Sequence, residues 1–221
     1  MKKFFLIISL LLFVAISRMA AQSIVPKATV ITADGTEREV NATESAPLKV
    51  RFEPDIDRSD GYFEWRFYKD KVVEGEQYLV RHEETTEFTF TEAGSHLVCF
   101  YASFPDGTDM TSDAVTINIS TSKLEFPNAF SPNGDEYNEV YKAKEGYQSI
   151  VEFKATIYNR WGQKLFEWTD PAEGWDGYFH GQPVKDGVYF VHVQAKGADG
   201  VKYNIKKDVN LLRGFTDTTN K

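Results

Sequence analysis

The feature that most limits the fold of this chain is a period of two. Apolar and polar residues alternate in short runs, and the runs break at turn signals such as Asp34-Gly35, Asp60-Gly61 and Asp106-Gly107. Leu48-Lys49-Val50-Arg51-Phe52 is one such run; Phe63-Glu64-Trp65-Arg66-Phe67 sets three aromatics on one face and charges on the other. Successive side chains of a strand point to opposite faces, so these runs read as half-buried strands. From Ile24 to Ser122 no convincing amphipathic helix interrupts them. Aromatic residues make up 14% of the chain, a bias toward strands over helices. Many short strands spaced by turns imply an all-β protein built of antiparallel sandwiches.

The N-terminus follows a different rule. Met1-Lys2-Lys3 is basic, Phe4 to Ile16 is a run of 13 residues broken only by Ser9, and Ser17-Arg18-Met19-Ala20-Ala21 ends in small residues. That order is a secretory signal peptide, with cleavage expected between Ala21 and Gln22. An apolar run of this length spans only about 20 Å as a helix, short of a hydrocarbon core of about 30 Å. The expected mature chain therefore carries no transmembrane segment. Of the 221 residues, removal of 21 leaves 200, enough for two modules. With one cysteine, Cys99, the chain can form no internal disulfide.

Charge divides the chain. Residues 22–122 hold 9 basic and 19 acidic residues, whereas residues 123–221 hold 13 and 14. The step marks two modules joined near Thr121-Ser122-Lys123, expected to fold independently. The acidic balance disfavours nucleic acid as a partner, since phosphates would be repelled.

In the first module, Leu48–Phe52, Tyr62–Phe67 and Phe90-Thr91-Glu92-Ala93-Gly94-Ser95-His96-Leu97-Val98 resemble the PKD-type immunoglobulin-like family. The sequence departs from that pattern at Arg66 and at His96, where the family usually has Asp and Tyr. The resemblance implies a spacer or binding module over 22–122, not a catalyst. Cys99 sits mid-strand among Val98, Phe100 and Tyr101, a buried thiol rather than a reactive one.

The second module carries the denser signals. Phe130-Ser131-Pro132-Asn133-Gly134-Asp135 leads into a tight turn, and Val151–Tyr158 alternates cleanly as a strand. Turns follow at Asn159-Arg160-Trp161-Gly162, Trp175-Asp176-Gly177 and Lys185-Asp186-Gly187; a last hairpin turns at Ala198-Asp199-Gly200 and runs to Val209-Asn210-Leu211-Leu212-Arg213. In order and spacing this set resembles the gliding-motility-associated C-terminal domain family, the type B sorting domains of the type IX secretion system. Glu136 departs from the family's glycine, and 215–221 is a polar tail past the usual end.

The resemblance implies two tandem immunoglobulin-like β-sandwiches after a cleaved signal peptide, with residues 123–214 directing export through the periplasm to the outer membrane or cell surface of a Gram-negative bacterium. The implied partners are the type IX translocon, outer-membrane shuttle proteins and a periplasmic or surface protein. The final strand, as a sheet edge, would offer unpaired backbone groups to a receptor. Lys206, Lys207, Val209, Leu211, Leu212 and Arg213 are its candidate recognition residues, with Arg213 an exposed charge worth no more than about 0.5 kcal/mol to stability. Asn133, Asp135, Asn138 and Glu139 present hard oxygen ligands suited to calcium, but their spacing departs from an EF-hand and fits Asx-turns better. The four histidines form no metal pair, and there is no nucleophile elbow or phosphate loop. A non-enzymatic, cofactor-free accessory of the secretion machinery is the leading expectation. A surface adhesin binding carbohydrate or host protein through the first module is the alternative.

Overall fold

The computed structural model describes residues 24–214, so the expected cleavage site at Ala21 and Gln22 and the tail 215–221 lie outside the described residues. Every element among the described residues is a strand.

In the first module these are β1 (Lys27–Ile31), β2 (Glu37–Glu39), β3 (Leu48–Glu53), β4 (Tyr62–Lys69), β5 (Leu79–Arg81), β6 (Thr86–Phe90), β7 (Gly94–Ser103), β8 (Asp109–Thr111) and β9 (Val115–Ile119). One sheet runs β2-β1-β3-β6; the other runs β5-β4-β7-β8, with β9 pairing the other half of the same edge of β7 that β8 occupies. The alternation read from sequence sets the faces. Phe52, Trp65, Phe67, Phe90 and Phe100 are fully buried between the sheets, with Trp65 and Phe100 ring centroids 4.7 Å apart. Each fully buried large side chain contributes on the order of 2 kcal/mol by leaving water, so this aromatic layer is the main source of the module's stability.

The second module contains β10 (Ala129–Phe130), β11 (Tyr141–Lys142), β12 (Ile150–Tyr158), β13 (Lys164–Trp168), β14 (Gly174–Trp175), β15 (Tyr178–Phe179), β16 (Gln182–Pro183), β17 (Gly187–Gly197) and β18 (Lys202–Leu211). One sheet, β10-β18-β17-β12-β13, supplies its regular layer. The opposing layer is not a second broad sheet. It is the lead segment 124–149 with the two-residue ladders β11-β14 and β15-β16. Prolines 127 and 132 donate no backbone hydrogen bond, and the Asx-Gly turns cut the remaining runs short, so ladders of two residues are what this stretch can form. Phe126, Phe130, Tyr141 and Trp175 still bury their rings there against Ile157, Val191 and Val209.

Among the described residues the final strand is an edge over most of its length, and only its end is covered on the side away from β17. β18 pairs with β17 along its whole length, and at its end β10 pairs with it in parallel, Phe130 opposite Leu211. Asn210 N–H donates to Asn128 O at 2.9 Å and Leu212 N–H to Phe130 O at 3.1 Å. Val209 and Leu211 are wholly buried.

The junction is stitched rather than loose. Ser122 donates its N–H and hydroxyl to the Asp199 carboxylate, at 2.9 and 2.7 Å, and that carboxyl is held below its ordinary range, chiefly by the Ser122 N–H. Ser149, buried, accepts from Ala46 N–H through its hydroxyl, meets the Ser120 hydroxyl at 2.7 Å and gives its own N–H to Ser45 Oγ. Ala93 N–H donates to Ala198 O, and Ala198 packs into the first module's core. A Cβ on Gly197 would lie 2.1 Å from Ser122 Oγ, so only glycine lets the two chains pass so closely there.

Candidate functional site

Three turns and the end of β18 with Arg213 meet at one end of the second module. The first turn joins β12 to β13. Asn159 Oδ1 accepts the N–H groups of Trp161 and Gln163, each at 3.0 Å, an Asx-turn that pushes the intervening side chains outward. Gly162 takes φ +78°, which an L side chain rarely adopts. The result is a Trp161 ring 74% exposed, with the Arg160 guanidinium 4.4 Å from its centroid.

The second turn is Trp175-Asp176-Gly177. Trp175 is fully buried and its indole N–H donates to Tyr178 O at 2.9 Å. Asp176 Oδ1 accepts the Tyr178 N–H at 3.0 Å. The third is Lys185-Asp186-Gly187, pinned by the Tyr189 hydroxyl, which donates to Lys185 O at 2.6 Å. Burial raises the Tyr189 phenol above its usual range, so it stays a protonated donor.

Arg213 ties the second and third turns to the end of β18. Its Nη2 donates to Gly177 O at 2.8 Å, its Nη1 donates to Val184 O and approaches Asp186 Oδ1 at 3.5 Å, and its backbone N–H donates to Asp186 Oδ2 at 2.9 Å. A Cβ on Gly177 would meet Arg213 Nη2 at 2.9 Å and Leu211 Cδ1 at 3.0 Å. The motif glycine therefore makes room for the arginine. This corrects the reading of Arg213 as a free charge at the domain margin: it is a clamp.

Of the expected recognition residues, Val209 and Leu211 are core, and Arg213 is bound to its own backbone. Lys207 faces the lead segment, donating to Phe126 O at 3.2 Å and to Asn128 Oδ1 at 2.5 Å. Lys206 stands on the outer face opposite His192, and Leu212 is 41% exposed. A cleft of about 470 Å³ opens between the first and third turns, lined by Trp161, Leu165, Phe179, Val184, Asp186 and Val188. Sequence reasoning found these turns but missed the Arg213 clamp, since nothing in a strand-terminal arginine announces carbonyls 29 and 36 residues away.

Asn133, Gly134, Asp135 and Glu139 are committed to turn closure. Glu139 Oε1 accepts the N–H groups of Gly134 and Asp135, at 2.7 and 2.8 Å, while Asp135 Oδ1 accepts that of Tyr137. Asn138 contributes its carbonyl to Ser131 N–H. Among the described residues no group of three or more His, Cys, Asp and Glu side chains could hold a metal ion. Cys99 is buried mid-strand, and burial pushes its thiol up, away from the reactive thiolate.

With these turns in place, the comparison with known families is decisive for the second module. Residues 124–208 match the CHU_C Type IX secretion signal domain. Such a signal marks a chain sorted by type IX secretion and implies export to the cell surface or outer membrane. All the turns described above lie within the matched span, and Arg213 lies just beyond it. No curated protein matches the chain. Among solved structures it is similar to the fibronectin(III)-like modules of Clostridium thermocellum CbhA, at 14% identity over 83% of this chain and 92% of that chain, TM-score 0.28. Chicken CNTN1 FN1-FN3 domains match at 9% identity, over 76% of this chain and 61% of that one, TM-score 0.33. Dimeric latent PorU from Porphyromonas gingivalis matches at 13% identity, over 84% of this chain and 20% of that one, TM-score 0.27. At these scores the likenesses carry no argument about function.

Proposed function

We propose that this chain is a non-enzymatic accessory of the type IX machinery, exported by its own sorting module and acting by protein–protein binding at the outer membrane or cell surface. The observation that supports the export part of this reading is the match of residues 124–208 to the type IX signal domain. The partners proposed for the sorting module are the translocon and its outer-membrane shuttle proteins. The face proposed for their contact is the motif end, through exposed Trp161 and Leu212, with Lys206 farther along the outer face of β18 and with Val209, Leu211 and Arg213 acting by holding that end folded.

Deleting Val209–Lys221 from the full chain should trap it in the periplasm, whereas deleting 215–221 should be milder. Trp161→Ala combined with Leu212→Asp should lower surface delivery while leaving the unfolding midpoint nearly unchanged. If the long deletion still reaches the surface at normal levels, the sorting role fails. If only the double variant is delivered normally, the contact lies elsewhere on the module. Pulldown of translocon components from cells carrying the intact chain supports the accessory role, and recovery of host or matrix ligands alone refutes it.

A further inference from the structure

Outside the sorting module, one face of the first module is built in a way that its role as a folded spacer does not require. On the outer side of the β5-β4-β7-β8 sheet, two rows of side chains stand in register across three strands. Tyr62, Ser103 and Asp109 form one row; Glu64, Tyr101 and Thr111 form the next. Strands lie about 4.8 Å apart and same-face residues about 7 Å apart along a strand, so the grid has the dimensions of one or two sugar rings. The rows line a shallow groove of about 300 Å³.

Its groups are held before any ligand arrives. The Tyr62 hydroxyl lies 2.6 Å from His82 Nδ1 and its ring sits 5.4 Å from the imidazole, and the residue is still 55% exposed. The Arg66 guanidinium lies 3.9 Å over the Tyr101 ring and pairs with Glu64 and, at 3.3 Å, with Glu74. Ser103 Oγ donates to Asp109 Oδ1 at 2.7 Å. Fixed side chains lose little entropy on binding, which is what a shallow site needs to bind anything.

We infer that this groove is a binding site for neutral carbohydrate. The exposed Tyr62 ring is a platform for the C–H face of a pyranose. Glu64 and Asp109 accept from vicinal hydroxyls, and Arg66 and Thr111 donate to ring and hydroxyl oxygens. Charge narrows the class: Glu64 and Glu74 pair with the Arg66 guanidinium and Asp109 stands in the other row, within a module carrying 9 basic and 19 acidic residues, so uronates, phosphates and nucleic acids are repelled. The open groove also suits an extended glycan chain better than an enclosed cofactor.

This site is independent of the sorting reading, and its test does not use export. The mature chain is applied to an array of neutral and anionic glycans, and hits are titrated by calorimetry using cellohexaose, mannohexaose and chitohexaose. At least one neutral oligosaccharide should bind; Tyr62→Ala and Asp109→Asn should each weaken it by about tenfold or more, while Tyr178→Ala on the sorting module leaves it unchanged. Circular dichroism of the variants confirms that each is folded. Binding to no neutral glycan, binding to anionic glycans only, or binding indifferent to both first-module variants overturns the assignment. Normal surface delivery of Tyr62→Ala is expected in every case.

Discussion

Arg213→Ala separates a clamp from a surface charge. The side chain is 23% exposed and donates to Gly177 O and Val184 O while facing Asp186. Hydrogen bonds from a charged donor contribute about 1.5–3 kcal/mol each where solvent is scarce. Gly177 O keeps a second donor, the Val184 N–H at 3.0 Å, so its loss is partial; Val184 O is left to find water. The Asp186 ion pair is largely solvated and adds little. Loss of the guanidinium's approach to the Tyr178 ring, 5.9 Å from its centroid, adds a few tenths more. The sum is about 2–3 kcal/mol of destabilisation. Arg213→Lys keeps the charge but lacks the planar fork that reaches two carbonyls, and should cost about half as much. Urea unfolding of the mature chain reads this directly through Trp161, Trp168 and Trp175, all of which lie in the second module. A change within about 0.5 kcal/mol, the ordinary result for a surface residue, would refute the clamp.

Three further perturbations test other parts of the fold. Gly174→Ala sets a Cβ about 2.4 Å from Tyr141 O, where backbone must move; the β11-β14 ladder should open at a cost of about 3 kcal/mol, seen as a lower urea midpoint. Ser149→Ala leaves the buried Ala46 N–H without its acceptor, costing about 1–3 kcal/mol, and calorimetry should show the two modules' unfolding transitions drawn apart. Glu44 is buried in a bidentate pair with Arg38, at 2.6 and 2.8 Å, and the Arg38 hydrogen bonds hold its carboxyl below the usual range. A depressed folded value gives stability that is full above the ordinary glutamate value of about 4.3 and is lost as pH falls through the folded value. Chemical denaturation at pH 7 and pH 3 should therefore show the gap between Glu44→Gln and the parent shrinking on acidification; a constant gap would contradict the ion pair.

Local physics was legible and long-range pairing was not. Val50, Phe52, Trp65 and Phe67 alternate with charges, and that phase alone places them in the first core. Phe153, Ala155 and Ile157 in the alternating run Val151–Tyr158 did the same for the second. The Asx-Gly turns were legible because their chemistry closes within four residues, as Asn159 does on Gln163. Phase, however, gives a face and not a neighbour. Ser149 meets Ser45 across 104 residues, and Ser122 of the polar junction meets Asp199 across 77, contacts that phase alone does not give. The same blindness hid the cover over the end of β18. Its cover, β10, is a two-residue parallel partner 81 residues earlier, flanked by prolines that read only as a turn.

That cover bears on what a sorting receptor can read. Leu211 reaches its buried position only when Phe130 is paired beside it, and Arg213 finds its acceptors only when the turns at Gly177 and Val184 have formed. The exposed rim of Trp161, Leu212 and Val188 is thus a property of the folded module and not of its last residues alone. A synthetic peptide of residues 200–221 contains the whole terminal strand but none of its partners, and an isolated strand in water does not hold this shape. The peptide should fail to compete with the intact chain for translocon components in a pulldown, even at a large molar excess, whereas a folded competitor carrying residues 24–221 should compete. Efficient competition by the peptide would mean that the receptor reads a linear signal, and the buried geometry of β18 would then describe only the state after release.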